Sequence, residues 1–214
     1  STRTAGVPRP VCVGRRVGKF VELELKRRGH TVDVVDPVVE NLPLLTRPHF
    51  SYPSGESPHD ALAERLGGAQ AYVMVTPEYN HAPGPALLNL IDHFGSSTFS
   101  FKPSLIVSYS QGQWGGTRAA AGLRPVLSEL GCLPVSAMIH VPAAHHLLRE
   151  DGSFYKGDAE EERWRSYAAR GLAQLEWWGE ACTSQWEVAN PFQSSPAQTS
   201  TPEERNAPPG SGEA

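Results

Sequence analysis

The sequence predicts an α/β fold, a doubly wound parallel sheet with helices on both faces. Short apolar runs alternate with segments whose apolar residues recur at helical spacing, and this alternation is typical of parallel sheets covered by helices. The clearest case is the apolar run 71–75, because a polar segment rich in proline and glycine follows it and a helical pattern comes next. In open α/β sheets, ligands bind where such strands end.

The first half of the chain predicts two helices and a strand before that run. Residues 16–28 place apolar side chains on one helical face, and Gly29 stands where a helix ends. Residues 31–35 are rich in valine, which suits a half-buried strand. Residues 60–66 form a short helix, separated from the strand by a long polar segment.

The second half repeats the alternation of strands and helices. The strand 104–107 precedes a helix that Thr117 caps and Gly131 ends. Residues 135–141 form the last strand. A long helix, 160–186, then carries apolar residues at helical spacing.

The last 28 residues differ from the rest in composition. In the segment 187–214, Val188 and Phe192 are the only large apolar residues, while Pro, Ser, Thr, Gln and Glu dominate. Such a segment buries too little surface to offset the entropy of ordering it. We therefore expect one domain over residues 1–186 and a disordered tail over residues 187–214.

Composition argues against several classes of partner. The 214 residues carry a formal net charge of −4, so neither nucleic acid nor an anionic membrane surface is expected to bind. No apolar run approaches the roughly 20 residues that span a bilayer. Cys12, Cys132 and Cys182 stand far apart without a CxxC pair, which favours a reducing compartment. We expect a cytoplasmic protein.

The segment 76–84, Thr-Pro-Glu-Tyr-Asn-His-Ala-Pro-Gly, carries the strongest functional signal. Pro77 and Pro83 stiffen its backbone. Tyr79 offers a flat face with a polar tip. A stiff backbone beside an aromatic side chain predicts a slot for a planar ring system.

Three parts of the chain resemble the NADPH-dependent FMN reductases, a flavodoxin-like family. The segment 77–80, with the Pro-Gly helix start and the Leu-Leu-Asn-Leu-Ile-Asp that follow, resembles the flavin-ring loop. Residues 108–119 resemble the second ring-side loop, a glycine-rich turn before an arginine and a helix. Residues 1–3, Ser-Thr-Arg, and residues 14–21 resemble the phosphate loop and the helix after it. The resemblance extends to about Glu180.

This resemblance implies FMN and NADPH as cofactors. Hydride is expected to pass from NADPH to FMN, and electrons then pass to a small-molecule acceptor such as a quinone, a flavin, an azo dye or a metal ion. Because the flavin carries this chemistry, no catalytic side chain is expected. The resemblance also implies a homodimer or a homotetramer.

The resemblance assigns cofactor-binding residues to three groups. Glu78 is expected to orient the first loop by pairing with Arg118, whose alternative role is to bind the NADPH phosphate. The glycines of the second loop let the backbone approach the flavin. The implied set is Ser1, Thr2, Arg3 and Arg15 (or its neighbour Arg16) at the phosphate; Pro77, Glu78, Tyr79 and Asn80 at one edge of the ring; and Ser108, Gln111, Gly112, Gly115, Gly116 and Arg118 at the second loop.

One element of the family pattern is expected to be missing. A flavodoxin-like sheet has strand order 2-1-3-4-5, and its phosphate loop follows strand one. Because the given chain opens with the phosphate-loop residues, we expect its first strand to be absent, as in a truncated or alternatively spliced form. That strand would lie between residues 31–35 and 71–75, so its absence affects the phosphate site and the stability of the sheet.

Other functions find less support in the residues. His140, His145 and His146 match no metal-ligand spacing, so no metal site is expected. Two alternatives stay open, an FMN electron carrier that does not oxidise NADPH and a degenerate isoform without catalysis. The weakly acidic composition argues against a carrier that docks redox partners, whereas the missing strand favours the degenerate isoform.

Overall fold

The computed structural model describes residues 12–194. Among these residues, no helix combines the length and the hydropathy needed to cross a membrane. A single 3-10 turn in this part of the chain covers His49–Ser51. The other elements are α1 (Val13–Arg27), α2 (Asp60–Gly67), β1 (Tyr72–Tyr79), β2 (Ala82–Pro83), α3 (Pro85–Phe94), α4 (Ser96–Phe99), β3 (Lys102–Tyr109), α5 (Thr117–Glu129), β4 (Cys132–Pro134), β5 (Ile139–Val141), α6 (Ala144–Leu147), α7 (Asp158–Val188) and α8 (Pro191–Ser194).

β3 lies at the centre of the described sheet. β1 runs parallel to it, from the pair Tyr72 and Ser104 to the pair Pro77 and Tyr109. β4 and β5 follow each other along the opposite edge of β3, and both are parallel to it. The carboxyl ends of β1, β3 and β5 therefore meet at one edge of the sheet, where parallel sheets bind ligands.

Helices pack on both faces of this sheet. On one face, Phe20 of α1 and Leu172 of α7 contact a core that includes Leu105. On the other face, Ile91 of α3 packs in a second core, with side chains of α2 and α5 and with Ile106. Successive residues of β3 thus point to opposite cores, as the pleat of a strand requires. The predicted α/β architecture is confirmed.

The predicted strand 31–35 is not formed. No strand among residues 12–194 pairs with this segment, and Val34 is 53% exposed. A strand is stable only when a neighbour about 4.8 Å away receives its hydrogen bonds. Among residues 12–194, no strand pairs with the outer edge of β1 over residues 72–77, since β2 pairs only with Glu78 and Tyr79. The high valine content of residues 31–35 was therefore not sufficient to form a strand.

The strand bounds also differ from the predicted ones. β1 continues through Pro77 to Tyr79 and turns back into β2, so the first half of the predicted polar turn is a hairpin. Of the predicted strand 135–141, only residues 139–141 form a strand, β5, and the short strand β4 precedes the predicted range at residues 132–134. The reason is that Gln174 of α7 accepts a hydrogen bond from the Ala137 amide at 2.8 Å and so withdraws this amide from the sheet.

The predicted boundary between the domain and the tail, after residue 186, falls within α7. α7 continues to Val188, and a further helical turn, α8, follows it. The Phe192 ring stands edge-on to the rings of Phe101 and Trp186, at centroid distances of 5.5 and 5.7 Å. An aromatic side chain with such partners has enough contacts to order the segment. Residues 195–214, and with them most of the predicted tail, lie outside the described residues.

Candidate functional site

A tight hairpin at the end of β1 positions the predicted aromatic residue. Asn80 and His81 form its two-residue turn with φ of 51° and 66°, the left-handed values that such turns require. The Gly84 amide donates to Thr76 Oγ1 at 2.9 Å and ties the end of the hairpin to its start. The Tyr79 side chain is 59% exposed. Its ring is therefore available as a flat surface at the carboxyl edge of the sheet.

Glu78 joins this hairpin to the start of α5. Its Oε2 accepts hydrogen bonds from the backbone amides of Arg118 at 3.0 Å and Ala119 at 3.3 Å. Its Oε1 lies 3.3 Å from the Arg118 guanidinium, so the expected pairing of Glu78 with Arg118 is confirmed. Thr117 was expected to cap this helix, but it is the first helical residue, and the N-cap is Gly116. Glu78 supplies the capping carboxylate that glycine lacks.

The second loop, residues 110–116, ends in two glycines in the left-handed region. Gly115 has a φ of 62° and Gly116 a φ of 80°. A Cβ on Gly115 would lie 3.0 Å from the backbone nitrogen of Val141, and one on Gly116 would lie 2.9 Å from the Cβ of Ser108. Only glycine fits this close approach of the loop to the ends of β3 and β5.

The backbone amides of this loop are unused hydrogen-bond donors. Within residues 12–194, no amide from position 111 to position 116 donates to a protein acceptor, whereas the Ser110 amide donates to Val141 O at 3.2 Å. A row of free amides beside the exposed Tyr79 ring suits a planar heterocycle whose edge carries carbonyl oxygens and ring nitrogens. A flavin ring has this chemistry, so the residues present fit the cofactor that the sequence led us to expect.

Behind the loop, a buried serine connects it to β5. Ser108 Oγ lies 2.8 Å from Gly115 O and 2.8 Å from His140 Nδ1. Because a carbonyl only accepts, Ser108 donates to Gly115 and accepts a hydrogen bond from His140 Nδ1–H. Neutral His140 therefore keeps a lone pair on Nε2, and the residue lines a cavity of about 750 Å³ between β5 and α7. Burial lowers the pKa of His140, which favours this neutral form.

The expected phosphate site is only partly within the described chain. Residues 1–3 lie outside it. Arg15 Nε pairs with Asp36 Oδ2 at 2.9 Å on the surface, and Arg16 donates to the Leu148 carbonyl at 3.0 Å. Both arginines lie in the first turn of α1, which carries no acidic residue. The start of this helix therefore keeps the positive potential that attracts anions.

The structure brings the two predicted ring-side loops together and adds a residue that the sequence did not single out. Tyr109, the last residue of β3, is 8% exposed, and a Cβ on Gly14 of α1 would lie 2.5 Å from its hydroxyl. Burial raises the pKa of this hydroxyl. Its position next to Ser108 at a strand end was the available signal. The residues that meet at this edge are Pro77, Glu78, Tyr79, Asn80, Ser108, Gln111, Gly112, Gly115, Gly116 and Arg118.

Known proteins resemble this chain over a large part of its length. The model of the NADPH-dependent FMN reductase family matches residues 4–146, a range that contains both loops. An NADPH azoreductase of Bacillus sp. (strain OY1-2) is 29% identical over 145 residues, which are 65% of this chain and 75% of that protein. A quinone reductase of Escherichia coli (strain K12) is 38% identical over 77 residues, or 35% of this chain. The chain matches only 41% of the length of that reductase.

A solved structure gives the same fold. FerB, a flavoenzyme NAD(P)H:(acceptor) oxidoreductase from Paracoccus denitrificans, superposes with a TM-score of 0.57. The superposition covers 80% of this chain and 93% of FerB, at 20% sequence identity. Because the family model covers more than half of the chain and includes both ring-side loops, the chain belongs to the NADPH-dependent FMN reductase family, oxidoreductases whose cofactors are FMN and NADPH.

Proposed function

We propose that this chain holds FMN at the carboxyl edge of its sheet and passes electrons from NAD(P)H to a small conjugated acceptor, a quinone or an azo compound. The observation that carries the proposal is the clamp by Glu78, which fixes the hairpin against the start of α5 and so sets the width of the gap between the two loops. The similarity to an azoreductase and to a quinone reductase supports this class of acceptor. Free flavin and metal ions are the other candidate acceptors, and their reduction is to be compared with that of quinones and azo compounds.

In this proposal each loop holds one part of the flavin ring. Pro77, Tyr79 and Asn80 form one edge of the slot, with the exposed tyrosine face against the ring. The amides from position 111 to position 116 donate to the polar edge of the ring. Arg118 pairs with Glu78, but its side chain is 47% exposed. The guanidinium N–H groups that face solvent are therefore available to bind the phosphate of NADPH.

The phosphate end of FMN is assigned to the start of α1. Ser1, Thr2 and Arg3 would supply hydroxyl and guanidinium donors there, and Arg15 would add positive charge beside them. Bound FMN supplies the hydride and electron chemistry, so the side chains of this site bind and orient and do not act as acids or bases. The tight hairpin and the close-packed glycines provide the rigidity that such orientation needs.

The test is the visible absorbance spectrum of the full chain after FMN is added and the excess is removed. A retained flavin spectrum that bleaches with NADPH, and recovers when a quinone or an azo dye is added, supports the proposal. Parallel assays with NADH, free flavin and ferric ions rank the donors and acceptors. Retained flavin that NADPH does not bleach identifies an electron carrier. No retained flavin means that this chain is a degenerate form.

We also propose a cytoplasmic homodimer or homotetramer. The described cysteines are all free thiols, which suits a reducing compartment. Trp114 beside the site and Trp177 on α7 are 60% and 62% exposed, and exposed tryptophans are enriched at subunit contacts. Light scattering after gel filtration measures the oligomeric state, and fractionation of the cells that make the protein locates it. A monomer contradicts the first proposal, and a secreted or membrane-bound form contradicts the second.

A further inference from the structure

A second candidate binding site lies at the opposite end of the sheet from the flavin-ring loops. A cavity of about 280 Å³ opens at the amino end of β3, between α2, α4 and the carboxyl end of α7. Ser100, Phe101 and Lys102 form its inner wall, and Trp186 and Phe192 form its outer wall. None of these residues belongs to the ring-side loops, so the site is independent of the proposed flavin chemistry.

Within residues 12–194, the inner wall carries an ammonium group that has no carboxylate partner and a hydroxyl that has no hydrogen-bond partner. The Lys102 ammonium donates to Gly67 O and lies 3.3 Å from the Tyr72 hydroxyl, but it pairs with no carboxylate among residues 12–194. Burial lowers the pKa of Lys102. Ser100 is 1% exposed, and its Oγ has no hydrogen-bond partner within the described residues. A buried hydroxyl without a partner and, two residues along the chain, a cation without a carboxylate suit an anion that accepts hydrogen bonds from both.

The backbone between these two residues is strained. Phe101 has a φ of 61°, a left-handed value that bulky residues rarely adopt and that costs on the order of 1–3 kcal/mol. Two hydrogen bonds hold it there, from the Phe101 amide to Gly131 O at 2.9 Å and from Trp186 Nε1 to Phe101 O at 3.4 Å. This conformation turns the Phe101 ring toward Phe192, which in turn contacts Trp186. The rings of Phe101, Phe192 and Trp186 thus form an aromatic cluster at the cavity that Lys102 also lines.

We propose that this cavity binds a small aromatic carboxylate. Its carboxylate would pair with Lys102 and accept a hydrogen bond from Ser100, while its ring would pack among Phe101, Trp186 and Phe192. The cavity volume is near the lower end of ligand pockets, so it admits a single-ring acid and excludes a nucleotide. The segment after α7, which the composition assigned to a disordered tail, thus forms the outer wall of a site.

The test is calorimetric titration of the full chain with benzoate, and with benzyl alcohol and inorganic phosphate as the two half-ligands. Benzoate is expected to bind once per chain, while benzyl alcohol lacks the charge and phosphate lacks the ring, so each binds about tenfold more weakly or not at all. This comparison needs no variant. Absence of benzoate binding, or equal binding of benzyl alcohol, overturns the proposal.

Variants then locate the site. Lys102→Met keeps the length of the side chain and removes its charge, and Ser100→Ala removes only the hydroxyl. We expect benzoate affinity to fall about tenfold in the first and severalfold in the second. The matched controls Lys156→Met and Ser166→Ala alter exposed side chains away from the cavity and should bind like the native chain. Unchanged benzoate affinity in Lys102→Met overturns the assignment. FMN retention is expected to stay unchanged in all four variants, which separates this test from that of the proposed function.

Discussion

The Glu78 carboxylate, at the end of β1, accepts a hydrogen bond from the Arg118 backbone amide 3.0 Å away at the start of α5. The two residues stand forty positions apart in sequence; Glu78 belongs to the first ring-side loop, and Arg118 lies in the first turn of the helix that follows the second. The first amides of a helix have no partner within the helix and carry partial positive charge. A carboxylate from the neighbouring strand therefore both satisfies the helix and fixes the distance between the loops.

Glu78→Gln should destabilise the protein by about 1 kcal/mol and weaken FMN retention, because the cap loses its charge. Burial opposes ionisation of Glu78, but the bonds from the Ala119 and Arg118 amides and from the Arg118 side chain outweigh it and lower its pKa. The charge therefore stabilises the fold above the unfolded pKa, about 4.5, and this contribution is lost as the pH falls through the lower folded pKa. Urea unfolding should show the native chain and the variant converging in acid. A constant difference across pH would contradict this account.

Gly115→Ala should cost about 1–3 kcal/mol and disturb the second loop. The alanine would have to adopt a φ of 62°, which is unfavourable for a residue with a side chain. Its Cβ would also lie 3.0 Å from backbone atoms of β5, and these atoms cannot move aside as a flexible side chain can. Gly112→Ala is the matched control, because it lies in the same loop with open space around it. Thermal unfolding and FMN retention measure the two effects. Equal stability of the two variants would show that the loop is not held against β5.

Ser108→Ala should cost about 1–3 kcal/mol, because it leaves the Gly115 carbonyl and the His140 Nδ1–H without partners in a buried place. Ser166→Ala, on the exposed side of α7, serves as the control.

Nitrogen NMR should show neutral His140 protonated at Nδ1 in the native chain. Because burial lowers the folded pKa of His140, its neutral form stabilises the fold above about pH 6.5, and this contribution is lost in acid. An Nε2-protonated ring would reverse the assigned direction of these bonds.

Glu176→Gln should lower the stability by about 1–3 kcal/mol near neutral pH. Arg28, the residue that caps the carboxyl end of α1, pairs with Glu176 of α7 through two hydrogen bonds, and His30 adds a third at 2.9 Å. The Arg28 pair chiefly, with help from His30 and against the effect of burial, lowers the pKa of Glu176 to about 2. The contribution is present above about pH 4.5 and disappears as the pH falls toward 2. Unfolding curves of this variant and of Glu180→Gln, an exposed control on the same helix, check the prediction; a loss in both would point to helix propensity instead.

The elements that were predicted correctly depend on local signals. The apolar runs of β1 and β3 and the helical spacing of α3, α5 and α7 are properties of neighbouring residues, so the sequence displayed them. The predicted strand over residues 31–35 did not form because a strand also needs a neighbouring strand, and no local sequence pattern indicates whether that neighbour is present. The sequence indicated the turn at Asn80 in part, because asparagine tolerates the left-handed region.

The candidate site likewise combines residues that the sequence indicated with contacts that only the structure shows. The sequence indicated which loops carry Tyr79 and Gly115, because glycines, prolines and aromatics mark such loops. It did not indicate that Ser108 bonds to His140, 32 residues away, or that Tyr109 lies against α1. Those contacts arise only when the parallel order of β3 and β5 places distant residues side by side. The cavity at Lys102 was hidden for the same reason, since four separate segments build it.

Within residues 12–194, no strand covers the outer edge of β1 over residues 72–77, and this has a practical consequence for handling the protein in solution. Along that edge β1 presents a row of amides and carbonyls that a strand of another molecule can join, and Val73 and Val75 make the strand attractive for such joining. Positions 72–77 carry no charged side chain of the kind that natural edge strands use to prevent such pairing, and only Pro77 interrupts the row of amide donors. Expression at high concentration is therefore expected to yield aggregates that bind amyloid dyes, and a peptide that supplies a complementary strand should keep the chain dispersed.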